Sequence, residues 1–259
     1  PAANNATDRL TRNFYDADGL LQGSLDAEGY LTEHRYTASG LRYITIRYAT
    51  AVAAASLGNA TLASLRPKVA AQDVSTIRIF DGMGQVQAEI DAEGYVTTFK
   101  YNAMGLVSES KRFATKLSQS AINLAKSQPI SISQLVLPKA NSQDQVTQTA
   151  YDALGRASIS TDYLGTRTEF AYDEVGNLVK TTRAVGTSDA SSLAKRYDVQ
   201  GRVIAELSAT GYALIAAGMT TEQINTIWTQ YGSTHTYDAS GRRTSTTDAN
   251  GNKTLFFYD

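Results

Sequence analysis

The chain has no cysteine in its 259 residues, which removes disulfides, thiolate nucleophiles and every Cys-ligated metal site. It has only two histidines, His34 and His235, so a multi-histidine metal centre cannot be assembled within it. No run of about 18 apolar residues is present, which excludes a membrane-spanning helix. Neither sign of charge dominates. With 24 Lys+Arg against 25 Asp+Glu the formal net charge is -1, without the basic excess that a phosphate backbone requires, so nucleic acid is not an expected partner. Residues 1–10 carry neither the basic segment nor the apolar core of a signal peptide. Proline is scarce at 4, and charged residues make up 19%, below the ~25% of an ordinary globular domain. What the chain has instead is 15 Tyr and 19 Gly, a combination that fits short strands joined by tight turns.

These residues are periodic, and self-similarity at a fixed period decides the architecture. Tyr-Asp-x-x-Gly occurs at Tyr15–Gly19, Tyr151–Gly155, Tyr172–Gly176, Tyr197–Gly201 and Tyr237–Gly241. Degenerate copies lie at Tyr36–Gly40, Phe80–Gly84 and Tyr101–Gly105. A second form lacks the leading Tyr: Asp26–Gly29, Asp91–Gly94, Asp162–Gly165 and Asp248–Gly251. Gly19, Gly29 and Gly40 are 10 and then 11 residues apart; Gly84, Gly94, Gly105 and Gly155, Gly165, Gly176 repeat those steps. Tyr258-Asp259 fall 21 residues after Tyr237-Asp238, where the next motif is due. The chain is therefore expected to be a segment of a longer array. Twelve of the 19 Gly occupy motif turns and eight of the 15 Tyr lead them.

Each motif has a mechanical reading. Asp at the first turn position can accept from a backbone N–H two residues on, which favours a type I turn. The closing Gly supplies the left-handed conformation of a G1 bulge. The leading Tyr, at a strand end, can pack across to the partner strand. Between turns the sequence alternates in the β manner: Ile44, Ile46 and Tyr48 on one face, Thr45 and Arg47 on the other. The predicted fold is all-β, a repetitive antiparallel β-hairpin array with short α-helical inserts. Hairpin groups are placed at about 9–48, 74–112, 146–183, 194–206 and 233–259, and inserts at about 49–73, 113–145, 184–193 and 207–232. The first insert carries Leu57, Leu62 and Leu65 in an Ala-rich context. The second places Leu117, Ala121, Leu124 and Ala125 at helical spacing. In the fourth, Thr220 and Gln223 form a capping box ahead of Ile224, Ile227, Trp228 and Tyr231. Arg47-Tyr48-Ala49-Thr50 and Arg112-Phe113-Ala114-Thr115 open two inserts alike, so the larger unit is itself duplicated. These helices are expected to cap the sheet.

Candidate chemistry is thin. The acidic turns at Asp16/Asp18 and at Asp248/Asn250/Asn252 lack the oxygen set and distal Glu of a calcium loop. Glu89 with Asp91, and Glu28 with Glu33, could be drawn as glycosidase pairs, but any chain with 25 acids contains such pairs. His34 and His235 read as strand residues, and no Gly-x-Ser-x-Gly or Gly-x-Gly-x-x-Gly occurs. Tyr30, Tyr43, Tyr48, Tyr95, Tyr163, Tyr212 and Trp228 could stack on sugars or fill a core, and the core is favoured. No catalytic, cofactor-binding or metal-ligating residue is assigned, and no cofactor is expected.

Tyr151-Asp152-Ala153-Leu154-Gly155-Arg156 followed by Thr161-Asp162-Tyr163-Leu164-Gly165, with Thr247–Gly251 matching the second turn, resembles the RHS/YD-repeat family over nearly the whole chain outside the inserts. The resemblance implies hairpins coiling into a spiral sheet, a shell or a barrel segment. In bacterial toxin complexes and polymorphic toxins such a sheet encloses a C-terminal toxin; in teneurins a similar barrel serves adhesion, and some members were described as carbohydrate-binding. The family's self-cleaving segment carries an Asp-Pro-x-Gly type motif, whereas none of Pro1, Pro67, Pro129 and Pro138 follows an Asp here. Inserts longer than the simple repeat needs leave room for an elongated or decorated array. The implied function is a non-enzymatic scaffold of a large secreted or surface bacterial protein. Its implied partners are flanking repeats, a toxin or effector cargo and, in the alternative reading, a cell-surface glycan or receptor. Strands cut from an array have open edges. Dimerisation or aggregation through those edges is expected in light scattering, and a monomer insensitive to dilution would count against it.

Overall fold

The computed structural model describes residues 11–52 and 60–259; Leu57 lies outside the described residues. The fold is all-β. The described residues form seventeen strands, antiparallel throughout the registers below, with a few short helices. The chain divides into two compact units, residues 1–101 with 109–146, and residues 102–108 with 147–259.

In the first unit β1 (Arg12–Tyr15), β2 (Leu21–Leu25), β3 (Leu31–Tyr36), β4 (Arg42–Arg47), β5 (Val74–Phe80), β6 (Val86–Ile90) and β7 (Val96–Tyr101) pair in chain order. β8 (Val107–Arg112) and β9 (Gln145–Tyr151) contribute residues to both units. In the second, β9 is followed by β10 (Ala157–Thr161), β11 (Arg167–Tyr172), β12 (Leu178–Arg183), β13 (Ser191–Tyr197), β14 (Val203–Leu207), β15 (Gly232–Tyr237), β16 (Arg243–Thr247) and β17 (Lys253–Leu255), again each on its predecessor. Because turns in such a meander alternate between its two ends, the topology sorts them within each unit. Tyr-led turns share one end. Turns without Tyr, and all the inserts, share the other.

The turn chemistry is as the motif requires. Asp16 C=O accepts from Gly19 N–H at 3.2 Å while Asp16 N–H donates to Leu20 C=O at 3.0 Å, a type I turn closed by a G1 bulge, and the other motifs repeat the pair. All twelve motif glycines have φ between 76° and 97°. Tyr-led hairpins add a register shift just inside the turn, seen at Phe14/Tyr15, Arg35/Tyr36 and Ala171/Tyr172, whereas the registers beside the Tyr-less turns run without a break. Ile44 and Tyr48 are buried, as is Tyr43, for which the core was favoured; the shift in β4 lets the adjacent Tyr43 and Ile44 both face inward, and Ile46, expected on the face of Ile44 and Tyr48, is only partly covered.

Inserts fold back onto the strands to make the cores. In the first unit, Ile44, Ile77, Ile79 and Ile90 pack with Phe113, Leu117, Ala121 and Ala125. The last two lie on α2 (Gln119–Ser127), which Ser118 caps. Leu117 precedes the helix, and Leu124 faces outward at 37% exposure, so the apolar stripe is completed by the partly buried Ile122 instead. A second cluster joins Leu25, Leu31 and Tyr48 to Leu65 of α1 (Leu62–Leu65). In the second unit Ala194 and Leu207 meet Ile227 and Trp228; α3 (Ala209–Tyr212) precedes α4 (Thr221–Tyr231), which starts with the expected Thr220/Gln223 capping box. Tyr231 at the end of α4 is exposed, so the stripe ends one turn earlier than its spacing suggested.

The duplicated openings of the two long inserts have duplicated closures. Asp73 accepts from Ala49 N–H at 2.9 Å and Ala70 N–H at 2.8 Å; Asp144 accepts from Ala114 N–H at 2.9 Å and Asn141 N–H at 3.0 Å. One carboxylate thus ties both ends of each excursion. For the turns, Gly155→Ala is expected to lower stability by about 1–2 kcal/mol, because Cβ strains a left-handed residue and would sit 3.4 Å from Leu106 Cδ1. Urea denaturation measures this, and an unchanged midpoint would remove the positive-φ requirement.

Candidate functional site

The turn built on Asp or Asn, with or without a leading Tyr, recurs along the described residues. Asp, or Asn at 102, uses one side-chain oxygen to accept two backbone N–H groups, from the residues two and four positions on. Eleven turns do this at 2.8–3.2 Å. The degenerate Thr37 manages only the second bond, to Leu41 N–H at 3.1 Å. The other Asp oxygen accepts from the side chain four positions on: Arg156, Arg202 and Arg242 through Nε at 2.7–2.8 Å, Asn177 and Asn252 through Nδ2 at 2.9 Å. These bonds hold the carboxyls below the ordinary Asp range. Backbone donation from the residue four on leads at Asp152 and Asp198, and the side chain leads at Asp173, Asp238 and Asp248.

Three of these turns then grip the next. The Arg156 guanidinium stacks on the Tyr172 ring at 4.5 Å, Arg202 on Tyr237 at 4.8 Å and Arg242 on Tyr258 at 5.0 Å. The Tyr hydroxyl donates to the carbonyl of the first residue of the preceding strand: Tyr36 to Leu21, Tyr101 to Val86, Tyr151 to Val107, Tyr172 to Ala157, Tyr197 to Leu178, Tyr237 to Val203 and Tyr258 to Arg243, at 2.7–2.9 Å. At three successive turns of the second unit the closing Gly leaves room for its neighbour. An added Cβ would lie 3.4 Å from Leu106 at Gly155, 3.7 Å from Arg156 at Gly176 and 3.4 Å from Asn177 at Gly201. Packing of Tyr across to the partner strand was legible. The hydroxyl bond and the Arg relay were not, although the fixed 15-residue separation of Tyr and acceptor in uninterrupted hairpins would have given the bond away.

The residues weighed for other chemistry are dispersed into structural roles. Asp16 spends its oxygens on Asp18 N–H, Leu20 N–H and Gln22. Glu89 pairs with Arg78 at 2.8 Å and Asp91 with Arg112 at 2.7 Å. Glu28 lies on a turn, whereas Glu33 is 2% exposed at the centre of β3. Arg66, just after α1, grips Glu33 with two bonds of 2.8 Å; Arg35 adds one at 2.9 Å and the Tyr48 hydroxyl one at 2.7 Å. Burial raises the Glu33 pKa, yet these donors outweigh it and hold it at about 2, while burial and the bond to Glu33 push Tyr48 up to about 12. His34 and His235 are strand residues, both buried, each with Nδ1 3.1 Å from a Thr hydroxyl, Thr45 and Thr246. Burial, then Arg42, lowers the His34 pKa. Tyr43, Tyr48 and Trp228 are core; Tyr30 and Tyr163 are exposed. Among the described residues no group of three or more acids and histidines is placed to hold a metal, and no helix is long and apolar enough to cross a membrane.

Two measurements test these contacts. Tyr172→Phe is expected to cost about 1 kcal/mol, by removing one hydrogen bond and leaving the Ala157 carbonyl without it, and a chemical-denaturation midpoint equal to that of the native chain would contradict the role. Glu33→Gln should cost roughly 3 kcal/mol at neutral pH, the scale set by a carboxyl lowered from 4.5 to about 2. A lowered carboxyl stabilises above its unfolded pKa, so the difference between the two chains should be constant above about pH 5 and close as pH falls from 4.5 toward 2. A difference that persists at pH 2 would contradict it.

Comparison with known proteins agrees with this geometry. The RHS repeat family model matches residues 151–188, which contain the Asp152–Arg156–Tyr172 relay. No curated protein matches by sequence. Among solved structures, the crystal structure of TcdB2-TccC3-Cdc42 is similar with TM-score 0.60 and 16% identity over 92% of this chain. The crystal structures of TcdB2-TccC3-TEV and of TcdB2-TccC3 without its hypervariable C-terminal region follow at 0.58 and 0.59, both with 15% identity over 96% of this chain. The chain spans about a tenth of those chains, 10–11% of their length. At this identity the likeness is one of fold. The RHS repeat match covers residues 151–188, and over the rest of the chain the likeness is to the fold of those structures, an all-antiparallel sheet with few short helices.

Proposed function

We propose that the chain is a non-enzymatic stretch of wall in a large secreted or surface-displayed bacterial RHS/YD-repeat protein, enclosing or presenting a toxin or effector domain that lies outside these residues. The observation that carries the reading is the turn-to-turn relay. An array whose hairpins bind the ones before them through a Tyr hydroxyl, reinforced at three turns by an Arg held on Asp, extends sideways without needing a separate core at each step, which suits a wall. Flanking repeats of the same type are its nearest partners in this reading. The test is protease protection in the complete parent protein. A domain following the repeats should resist digestion until the array is unfolded, and cleavage at the rate of the isolated domain would overturn the reading.

A second reading, an adhesive or glycan-binding array, is supported by the exposure of Tyr30 and Tyr163 at turns on the insert-bearing end of each unit. Saturable binding on a glycan array, lost in Tyr163→Ala, would favour it over a wall alone.

A further inference from the structure

The relay of Asp, Arg and Tyr is interrupted at one turn of the second unit by the sequence itself. Asp152, Asp198 and Asp238 each hold the Arg four positions on, and that Arg stacks on the Tyr of the next turn at 4.5, 4.8 and 5.0 Å. Four positions after Asp173 stands Asn177. Its Nδ2 donates to Asp173 at 2.9 Å. Its Oδ1 lies 3.4 Å from where a Cβ at Gly201 would sit, much as Arg156 lies 3.7 Å from where one at Gly176 would sit. Asn177 thus occupies the Arg position with a shorter and uncharged side chain. Beside it opens a cleft of about 550 Å³, lined by Asp173, Asn177, Tyr197 and Asp198 together with the exposed Val175 and Val199.

Charge follows the same interruption. Asp152, Asp198 and Asp238 are neutralised within their own turns, at 2.7–2.8 Å from Arg156, Arg202 and Arg242. The turn at 173–177 carries Asp173 and Glu174 and no Lys or Arg. The Asn177 amide and then the turn's backbone N–H groups hold the Asp173 carboxyl below the ordinary range, so it is ionised at neutral pH.

We propose that this cleft binds a guanidinium group, the side chain of an arginine on a partner chain, in the place that the protein's own Arg fills at three other turns. The Tyr197 hydroxyl donates to the Leu178 carbonyl at 2.8 Å, which fixes the ring as a stacking surface. A carboxylate oxygen accepts more than one bond, so Asp173 can receive an N–H of the planar fork beside that of Asn177. Asp198 is already paired with Arg202, and the attraction comes from Asp173 and the neighbouring Glu174. The methylene stem of the arginine can lie along Val175 and Val199, which line the same cleft. A lysine ammonium lacks the plane that matches both ring and carboxylate.

Titration of the 15N-labelled chain with Nα-acetyl-arginine amide, followed by NMR, tests the site. Amide shifts at 173–177 and 197–201 should saturate with a dissociation constant on the order of 1–10 mM, the strength of one small cation on one ring and one carboxylate. The citrulline amide, of nearly the same shape but neutral, should bind about tenfold more weakly. Asn177→Arg should restore the relay from within and abolish binding. Asp173→Asn keeps the turn, since Asn102 closes its own turn with the same two backbone bonds, and should weaken binding about fivefold. The proposal is overturned by shifts that fail to saturate up to about 100 mM, by citrulline amide binding as well as the arginine amide, or by either variant binding like the native chain.

Discussion

The hydroxyl of a tyrosine at the end of one hairpin, donating to the first carbonyl of the strand before it, is the contact on which the lateral order of this protein depends. A register shift just inside a Tyr-led turn leaves the first carbonyl of the returning strand, as at Ala157, to be met by a donor from outside its own hairpin. The Tyr ring delivers that donor and at the same time gives the Arg of the previous turn a surface to stack on. The turn Asp completes the loop by fixing the Arg. Removing any one member loosens the other two.

Much of this was readable in the sequence and some was not, for definable reasons. Hairpin, turn type and bulge follow from local rules, since Asp accepting two residues on and Gly at positive φ need nothing beyond five consecutive residues. The helix at Thr221–Tyr231 was legible for the same reason, its capping box and apolar spacing being local. Contacts between hairpins were less legible. Arg156 reads as an ordinary solvated charge until the next Tyr is known to lie 4.5 Å from it. Glu33 had no local signal at all. Its partner Arg66 is 33 residues away, and a lone Glu in a β-strand is commonly exposed. Tyr43 and Ile44, neighbours that strict alternation puts on opposite faces, both lie inside because the register skips a residue there, and periodicity alone cannot see a bulge.

The inserts obey a stricter economy than their varied sequences suggest. Asp73 and Asp144 clamp the two long ones at their bases, and Arg66 ties the first to the sheet interior through Glu33. Their apolar residues fill space above strands whose own residues are too few to make a core alone. The hairpins therefore supply the order and the inserts supply much of the burial.

Because every insert lies at the end opposite the tyrosines, the chain between a tyrosine and its acceptor lengthens without changing the bond. That separation is 15 residues in Tyr172–Ala157, 19 in Tyr197–Leu178, 34 in Tyr237–Val203 and 44 in Tyr151–Val107, at nearly constant bond length. Closing the longest of these loops costs only about 1 kcal/mol more entropy than closing the shortest, so the static bond scarcely registers the difference. The search for it does. Neighbouring hairpins with short connections can meet early in folding, while those separated by an insert must wait for a slower, longer-range encounter, so the positions of the inserts set the order in which the sheet is knit together.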